Sequence, residues 1–339
     1  MPITMKDVAK HSGISLGTVS NHINGKVNVS KSKQIAIDKS IKELGYQVNV
    51  AARNLKSSSY RSVGVVIPDF GNVYILKLVR HIEEFLRKYG YDMVVVSYQN
   101  DSKKEKEVIQ ELMQRVDAIT IVPSFARKTE EDTTFFQSVS DKMPLLLFNE
   151  SINDVTCDRV LVDNEQIVKK SIQILFDKGH RNIAIIAGPE GTYTAERRLL
   201  GYHTALAEKG IEIKKELIFN CNYSKTMSSE VCENILENHK EVTAIFVVGY
   251  KMTLGVLSAI SKNKMGDQIA VIGYDCSDIE NITTTPLTYV YQPYQEVARN
   301  VVEIIMKRVR EAKDKKVEYF PIGLNLEAHI RNVEALPEV

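Results

Sequence analysis

The sequence predicts an α/β fold: a small three-helix headpiece followed by a larger core of two lobes, each built on a doubly wound parallel sheet. Three observations carry that expectation. From Ser62 onward, apolar runs of strand length alternate with amphipathic helical stretches, in two series of similar length. Residues 1–56 instead show short helical stretches divided by glycine turns, with polar residues on the outer face of the second. The charge is also divided: residues 1–60 hold nine Lys and Arg against three Asp and Glu, and the remainder holds 35 against 40.

The 339 residues are 26% charged and 44% hydrophobic, ordinary for a soluble protein with ample core. A net charge of +1 therefore conceals a head of +6 on a body of −5. A generic solvated surface would spread that imbalance, whereas a polyanion bound at one end calls for it in one module. Cys157, Cys221, Cys232 and Cys276 are scattered, with no CxxC and no disulfide framework, so reduced thiols in the cytoplasm are expected. The N-terminal segment has no apolar signal core and no run approaches a membrane span, which disfavours a secreted binding protein.

Thr4 and Asp7 form a capping signature that starts helix one near Met5. Val8 and Ala9 face inward and Gly13 supplies the turn. Ser15 caps helix two, whose inward positions are Val19 and Ile23. Ser30 opens helix three, with Ile35, Ile37, Ile41 and Leu44 as its apolar set and Gly45 as its stop. In the core, strands are expected at 63–67, 93–97, 118–122 and 145–148, with helices at 75–89 and from 103. The second series places helices at 166–177, 196–209, 229–239 and 253–262, and strands at 183–187, 217–219, 244–248 and 269–273. Ligands of such sheets bind outside the carboxyl ends of the strands. The run 313–316 reads as a solvated basic turn.

An ordered set of short motifs runs along the chain: Thr4-Met5-Lys6-Asp7-Val8-Ala9, Gly13-Ile14-Ser15, Thr18-Val19-Ser20, Asn24-Gly25, Val29-Ser30, Glu43-Leu44-Gly45-Tyr46 and Ala51-Ala52-Arg53-Asn54-Leu55. Val63-Gly64-Val65-Val66-Ile67-Pro68-Asp69, Arg198-Leu199-Leu200-Gly201-Tyr202 and Ile272-Gly273-Tyr274-Asp275 continue it. In this order and spacing the chain resembles the LacI/GalR family of transcriptional regulators over essentially its full length. The resemblance implies a helix-turn-helix headpiece (1–48), a hinge helix and linker (49–60) and a periplasmic-binding-protein-like effector and dimerisation core (61–339). The lobes would be 61–161 with 293–320, and 162–292 with 321–330.

Helix two presents Ser15, Leu16, Gly17, Thr18, Ser20, Asn21 and Asn24 outward, short groups able to enter a major groove. The resemblance places Leu16, Gly17 and Asn21 at base edges. Gly17 permits close approach only, and Asn21 suits adenine, where Arg in relatives favours guanine. Ser15, Thr18, Ser20, Asn24, Ser30, Tyr46 and Asn49 look like phosphate-positioning groups, and Thr4, Met5, Val29, Lys33, Arg53 and Lys56 complete the implied DNA-facing set. For any single Ser or Thr, a plain helix cap is the alternative. The eight residues 49–56 favour helix but are too few to hold one alone, so order on DNA beside a dimer mate is expected. Leu55 resembles the family leucine that wedges into the minor groove; the alternative is a flexible linker with Leu55 packed on the core.

For the core, the resemblance places Asn72, Tyr74, Asn149, Arg198, Tyr223, Asp275 and Gln292 around a cleft between the lobes. Asp275 would accept from ligand hydroxyls or amines, Arg198 would donate in a planar fork, and Tyr74 and Tyr223 would stack on a ring face. Asp275 as a cap and Tyr223 as core are the alternatives. Where relatives carry Asn-Asp after the strand at 244–248, this chain has Gly249-Tyr250-Lys251, so a standard pyranose is not assumed.

No GxGxxG after a strand, GxxxxGK[ST], GxSxG or HExxH occurs, and the seven histidines do not cluster at metal spacing; no catalytic residue, metal or cofactor is expected. His22 reads as a packing or phosphate-touching residue. The expected protein is a cytoplasmic, homodimeric repressor of a pseudo-palindromic operator in double-stranded DNA, controlled by a small metabolite, a sugar or sugar derivative. Closure of the lobes would alter the spacing of paired hinges. The absence of a heptad tail favours a dimer over a tetramer. The competing expectations are a core that answers to a phosphorylated protein partner, and a transport-type binding protein. Leu55→Ala is expected to lose specific operator affinity in titrations while headpiece helicity is retained; unchanged affinity removes the wedge.

Overall fold

The computed structural model describes residues 3–23, 29–46, 59–124, 129–266, 268–283, 285–312 and 319–339. The chain divides into two compact units, Met1–Tyr60 and Arg61–Val339. The first unit contains α1 (Met5–Ser12), α2 (Leu16–Ile23) and α3 (Lys31–Leu44). The Asp7 carboxylate accepts from Thr4 N at 2.8 Å and Thr4 Oγ1 at 2.7 Å, starting α1 as the signature predicts. Gly13 ends it with φ 68°, the left-handed region that glycine enters without a Cβ penalty. Ser15 Oγ accepts from Thr18 N and so caps α2. Ser30 stands at the N-cap of α3, but its side chain makes no cap bond there.

Val8, Val19, Val29, Ile37 and Tyr46 form the buried centre of this unit. Ile35, expected inside, is 70% exposed. At about 100° per residue it lies roughly 200° around α3 from Ile37, on the opposite face. Ile37, Ile41 and Leu44 keep the inward stripe.

The second unit carries two six-stranded sheets. The first has the order β11-β5-β4-β3-β1-β2, all neighbours parallel. Its strands are β1 (Ser62–Ile67), β2 (Asp92–Ser97), β3 (Ala118–Ile121), β4 (Leu145–Phe148), β5 (Asp158–Val162) and β11 (Gly323–Leu326). The second has the order β12-β10-β9-β8-β6-β7, parallel except for the β10–β12 pair. It contains β6 (Ile183–Ala187), β7 (Ile218–Asn220), β8 (Ala244–Val247), β9 (Ala270–Tyr274), β10 (Thr288–Tyr291) and β12 (His329–Arg331). The helices are α4 (Val73–Lys88), α5 (Ser102–Leu112), α6 (Glu130–Ser140), α7 (Asn164–Asp177), α8 (Tyr193–Glu208), α9 (Lys225–Asn238), α10 (Tyr250–Lys262) and α11 (Tyr294–Glu311).

The chain crosses between lobes after β5, after β10 and after β11. The segment 321–330, expected wholly in the second lobe, is therefore divided. β11 pairs with β5 of the first sheet, because Asp158 Oδ1 accepts from Ile322 N and holds the returning chain there, and only β12 joins the second sheet. The C-terminal residues also belong to the second lobe, where Val339 N donates to Lys178 O. The strand order reverses beside β1 in one sheet and beside β6 in the other, so both sheets open a crevice at their carboxyl ends.

A buried ion pair fixes α11 to this frame. Arg308 donates to Asp158 through Nε at 2.8 Å and Nη2 at 2.9 Å, and Nη2 also reaches Phe320 O. Asp158→Ala is expected to cost about 3 kcal/mol of unfolding free energy in denaturant titration, since it strands a buried guanidinium. A loss below about 1 kcal/mol would show that Glu311, whose Oε2 accepts from Arg308 Nη1 at 2.7 Å, alone satisfies Arg308.

Candidate functional site: the inter-lobe cleft and the headpiece face

The carboxyl ends of the strands enclose a cleft of about 410 Å³. Asn72, Tyr74, Asn149, Arg198, Tyr223, Asp275 and Gln292, all seven core residues singled out from the sequence, line it. Asn72 is the N-cap of α4, its Oδ1 accepting from Tyr74 N and Ile75 N at 3.1 and 3.3 Å. Asn149 follows β4, and Asp275 follows β9. Arg198 projects from α8, only 5% exposed, with Nε on Asn164 Oδ1 at 2.7 Å and Nη1 on Val248 O at 2.6 Å. Its guanidinium lies 4.2 Å from the centre of the Tyr274 ring.

Asp275 caps no helix. It accepts from Gln292 N at 3.2 Å and Gln292 Nε2 at 2.7 Å, which joins the ends of β9 and β10. Tyr223 is half-buried rather than core. Its ring fills the space over two glycines: a Cβ on Gly188 would fall 2.7 Å from it and one on Gly249 3.0 Å. Gly249, having no side chain, thus makes room for Tyr223. Asn149, Tyr223 and Asp275 have φ of 64°, 54° and 55°, so three lining residues hold left-handed backbone, a concentration of strain found at ligand sites.

Several lining residues were not identified from the sequence. Glu150 is 3% exposed, and its carboxylate accepts from Thr194 N at 3.1 Å and from Thr194 Oγ1. A first-lobe carboxylate thereby caps a second-lobe helix, α8. Its place just after an apolar strand was the available signal. Tyr274 sits inside a motif already quoted. Tyr74 Oη, Tyr274 Oη and Gln292 Oε1 are buried without a hydrogen-bond partner among the described residues. A neighbouring hollow of about 720 Å³ is larger but contains none of these atoms, so the cleft is the stronger site.

Burial raises both carboxyls against their protein donors and Arg198, Asp275 to about 6 and Glu150 to about 7. Burial would lower Arg198, but Tyr274, Tyr223, Asp275 and Glu150 hold it above its ordinary range.

In the headpiece, Leu16 is 42% exposed, and Ser15, Gly17 and Lys33 are exposed with it. Thr18, Ser20 and Asn21 are half-buried. Thr18 Oγ1 lies 2.8 Å from Ser15 Oγ, so the cap alternative applies to both. Thr4 and Ser30 are exposed and Met5 packs partly on the core. Val29 and Tyr46 depart from expectation: at 7% and 9% exposure they are core residues. Tyr46 follows the left-handed Gly45 and donates its N–H to Ile41 O, a helix stop that folds the next side chain inward. His22 Nε2 is 2.6 Å from Asp38 Oδ1, a packing role within the headpiece. Asn24, Asn49, Arg53, Leu55 and Lys56 lie outside the described residues, as does the run 313–316.

With this geometry in view, residues 4–49 match the family described as bacterial regulatory proteins, lacI family, and residues 63–314 match the periplasmic binding protein domain. The PurR transcriptional repressor of Glaesserella parasuis is 30% identical, with 97% of this chain and 99% of the relative covered. The chain belongs to the LacI family. Catabolite control protein A of Priestia megaterium is 29% identical over 95% of this chain and 97% of its own. The lac repressor dimer solved on operator with an anti-inducer shares the fold, with a TM-score of 0.83 at 23% identity over 97% of this chain and 98% of that one. This LacI-family chain is thus a DNA-binding transcriptional regulator and not an enzyme. No described helix is long and apolar enough to cross a membrane.

The raised carboxyls of this regulator carry a pH prediction. A carboxyl raised on folding binds its proton more tightly in the folded state, so its contribution is fullest below the unfolded value and is lost as pH rises through the folded one. For Glu150 that window runs from about 4.5 to about 7. Across it, Glu150→Gln is expected to flatten the fall in core stability by about 2–3 kcal/mol, followed by denaturation at successive pH values. An identical pH slope in both proteins would show that folding leaves the proton affinity of Glu150 unchanged.

Proposed function

We propose that this regulator is a cytoplasmic repressor that binds a pseudo-palindromic operator as a homodimer, and that a sugar or sugar derivative in the inter-lobe cleft controls its operator affinity. The supporting observation is the set of buried polar atoms left unpartnered around the cleft. Each such group costs about 1–3 kcal/mol, and a ligand rich in hydroxyls offsets that cost. Asp275, Gln292, Asn72 and Asn149 offer acceptors and donors at strand and helix ends, and a cleft of about 410 Å³ is of small-ligand size.

On the headpiece, the exposure of Leu16 and Gly17 beside Asn21 supports a base-reading face, with Asn21 directed to adenine. Ser15, Thr18, Ser20, Ser30 and Lys33 would position phosphates around it. The lac repressor's operator complex supports the dimeric mode by likeness of fold. The kinship to catabolite control protein A keeps a phosphorylated protein partner as the second reading, but a cleft of small-ligand size with buried polar groups in its lining favours a small molecule.

Metabolites that raise the melting temperature should also change operator affinity. Asp275→Ala is expected to abolish both responses and to leave metabolite-free operator binding within about twofold of wild type. A normal response in Asp275→Ala would move the effector site elsewhere. Operator affinity that no metabolite alters would favour the protein partner.

A further inference from the structure

The cleft is not uniform in charge. Glu150 and Asp275 each have protein donors, Thr194 and Gln292, and Arg198 is tied to Asn164 and Val248. Asp69, at the rim, accepts from Gly71 N. Lys251 lines the same cleft yet makes no hydrogen bond or ion pair among the described residues. Its ammonium reaches across to the first lobe, where a Cβ on Gly71 would lie 3.1 Å from Lys251 Nζ.

Asp69 Oδ1 lies 2.7 Å from the same point, so one carboxylate shares this region, and two other features there favour an anion. Arg198 Nη1 is anchored on Val248 O, immediately before Gly249, the N-cap of α10. Gly249 brings no side-chain acceptor to that helix, and its first turn contains no acid. Of the other helices that begin near the cleft, α4 is capped by Asn72, α8 by Thr192 and Glu150 and α9 by Ser224; α11, which follows Gln292, has no side-chain cap either but places Glu296 in its first turn. An uncapped N-terminus presents free N–H groups and a partial positive charge, both suited to an anion. Independently, Tyr274 Oη at 1% exposure and Gln292 Oε1 at 2% lie unpartnered in the same cleft, the Tyr274 ring directly under the guanidinium.

We infer that the effector is an anionic carbohydrate, its phosphate or carboxylate held between Lys251, Arg198 and the N-terminus of α10, and its hydroxyls on Asp275, Gln292 and Tyr74. The inference rests on the cleft being the effector site. Lys251 is then the residue that sets ligand class. The first-lobe contact at Gly71 places its ammonium over the mouth, so that a bound anion would draw the two lobes together.

Calorimetric titration of the full-length protein with inorganic phosphate, glucose 6-phosphate, glucuronate, glucose and cellobiose tests this. At least one anionic probe should bind about tenfold or more tightly than glucose, the margin of one charge-assisted contact. Lys251→Met should erase that margin and Lys251→Arg should keep most of it. Lys251 is exposed, so neither change threatens the fold. Preference for glucose 6-phosphate identifies a phosphate group, and preference for glucuronate a carboxylate. The inference fails if no anionic probe binds saturably, or if anionic preference survives Lys251→Met. It also fails if a neutral sugar binds as tightly as any anion, an outcome that leaves the effector cleft standing. Asp275→Ala in the same titrations separates that failure from failure of the cleft itself.

Discussion

Arg198 must keep a full positive charge in a wall where it is 5% exposed, and much of the core is arranged around satisfying it. An uncompensated buried guanidinium would cost several kcal/mol. The compensation comes from different elements: Asn164 at the start of α7, the Val248 carbonyl after β8 and the Tyr274 ring at the end of β9. Glu150 and Asp275 add opposite charge from the two lobes. These groups can converge only where the strands of both sheets end, which doubly wound topology provides. The left-handed backbone at Asn149, Tyr223 and Asp275 is the local strain of turning side chains back over those ends.

The same convergence makes the cleft a candidate switch. Glu150 of the first lobe caps α8 of the second, and Lys251 of the second lobe reaches Gly71 of the first. A ligand that engages Arg198 or Lys251 therefore acts on contacts that span the lobes. It can shift their equilibrium only by the difference in its affinity for the two arrangements.

Much of this was legible in the residues, unevenly and for physical reasons. Capping chemistry and glycine stops located α1, α2 and α3 to within a residue or so, because Thr4, Asp7, Ser15, Gly13 and Gly45 act locally. Ile35 misled because apolar character does not say which way a helical position points. Val29 and Tyr46 carry family-like positions but are drawn inward by the headpiece core, a tertiary effect. In the core, long apolar strands such as β1 and β6 were plain. β11 and β12 were not, being short and half-exposed, with their places set by Asp158 and by pairing to β10. The helix α11 is absent from the expected elements although its apolar period through Val297, Val301, Ile304 and Ile305 is readable. The seven lining residues named in advance came through resemblance, whereas Glu150 and Lys251 needed three dimensions: burial marks the one, and the lack of a partner among the described residues marks the other.

The most direct test of the account as a whole is selection of binding sites from random duplexes by the purified protein, without metabolite, at physiological salt. Enrichment of a two-fold symmetric site is the expected result, with an adenine-bearing pair opposite Asn21 in each half. Weak, salt-sensitive binding with no enriched sequence would contradict a metabolite-free repressor and leave the headpiece unable to read an operator by itself.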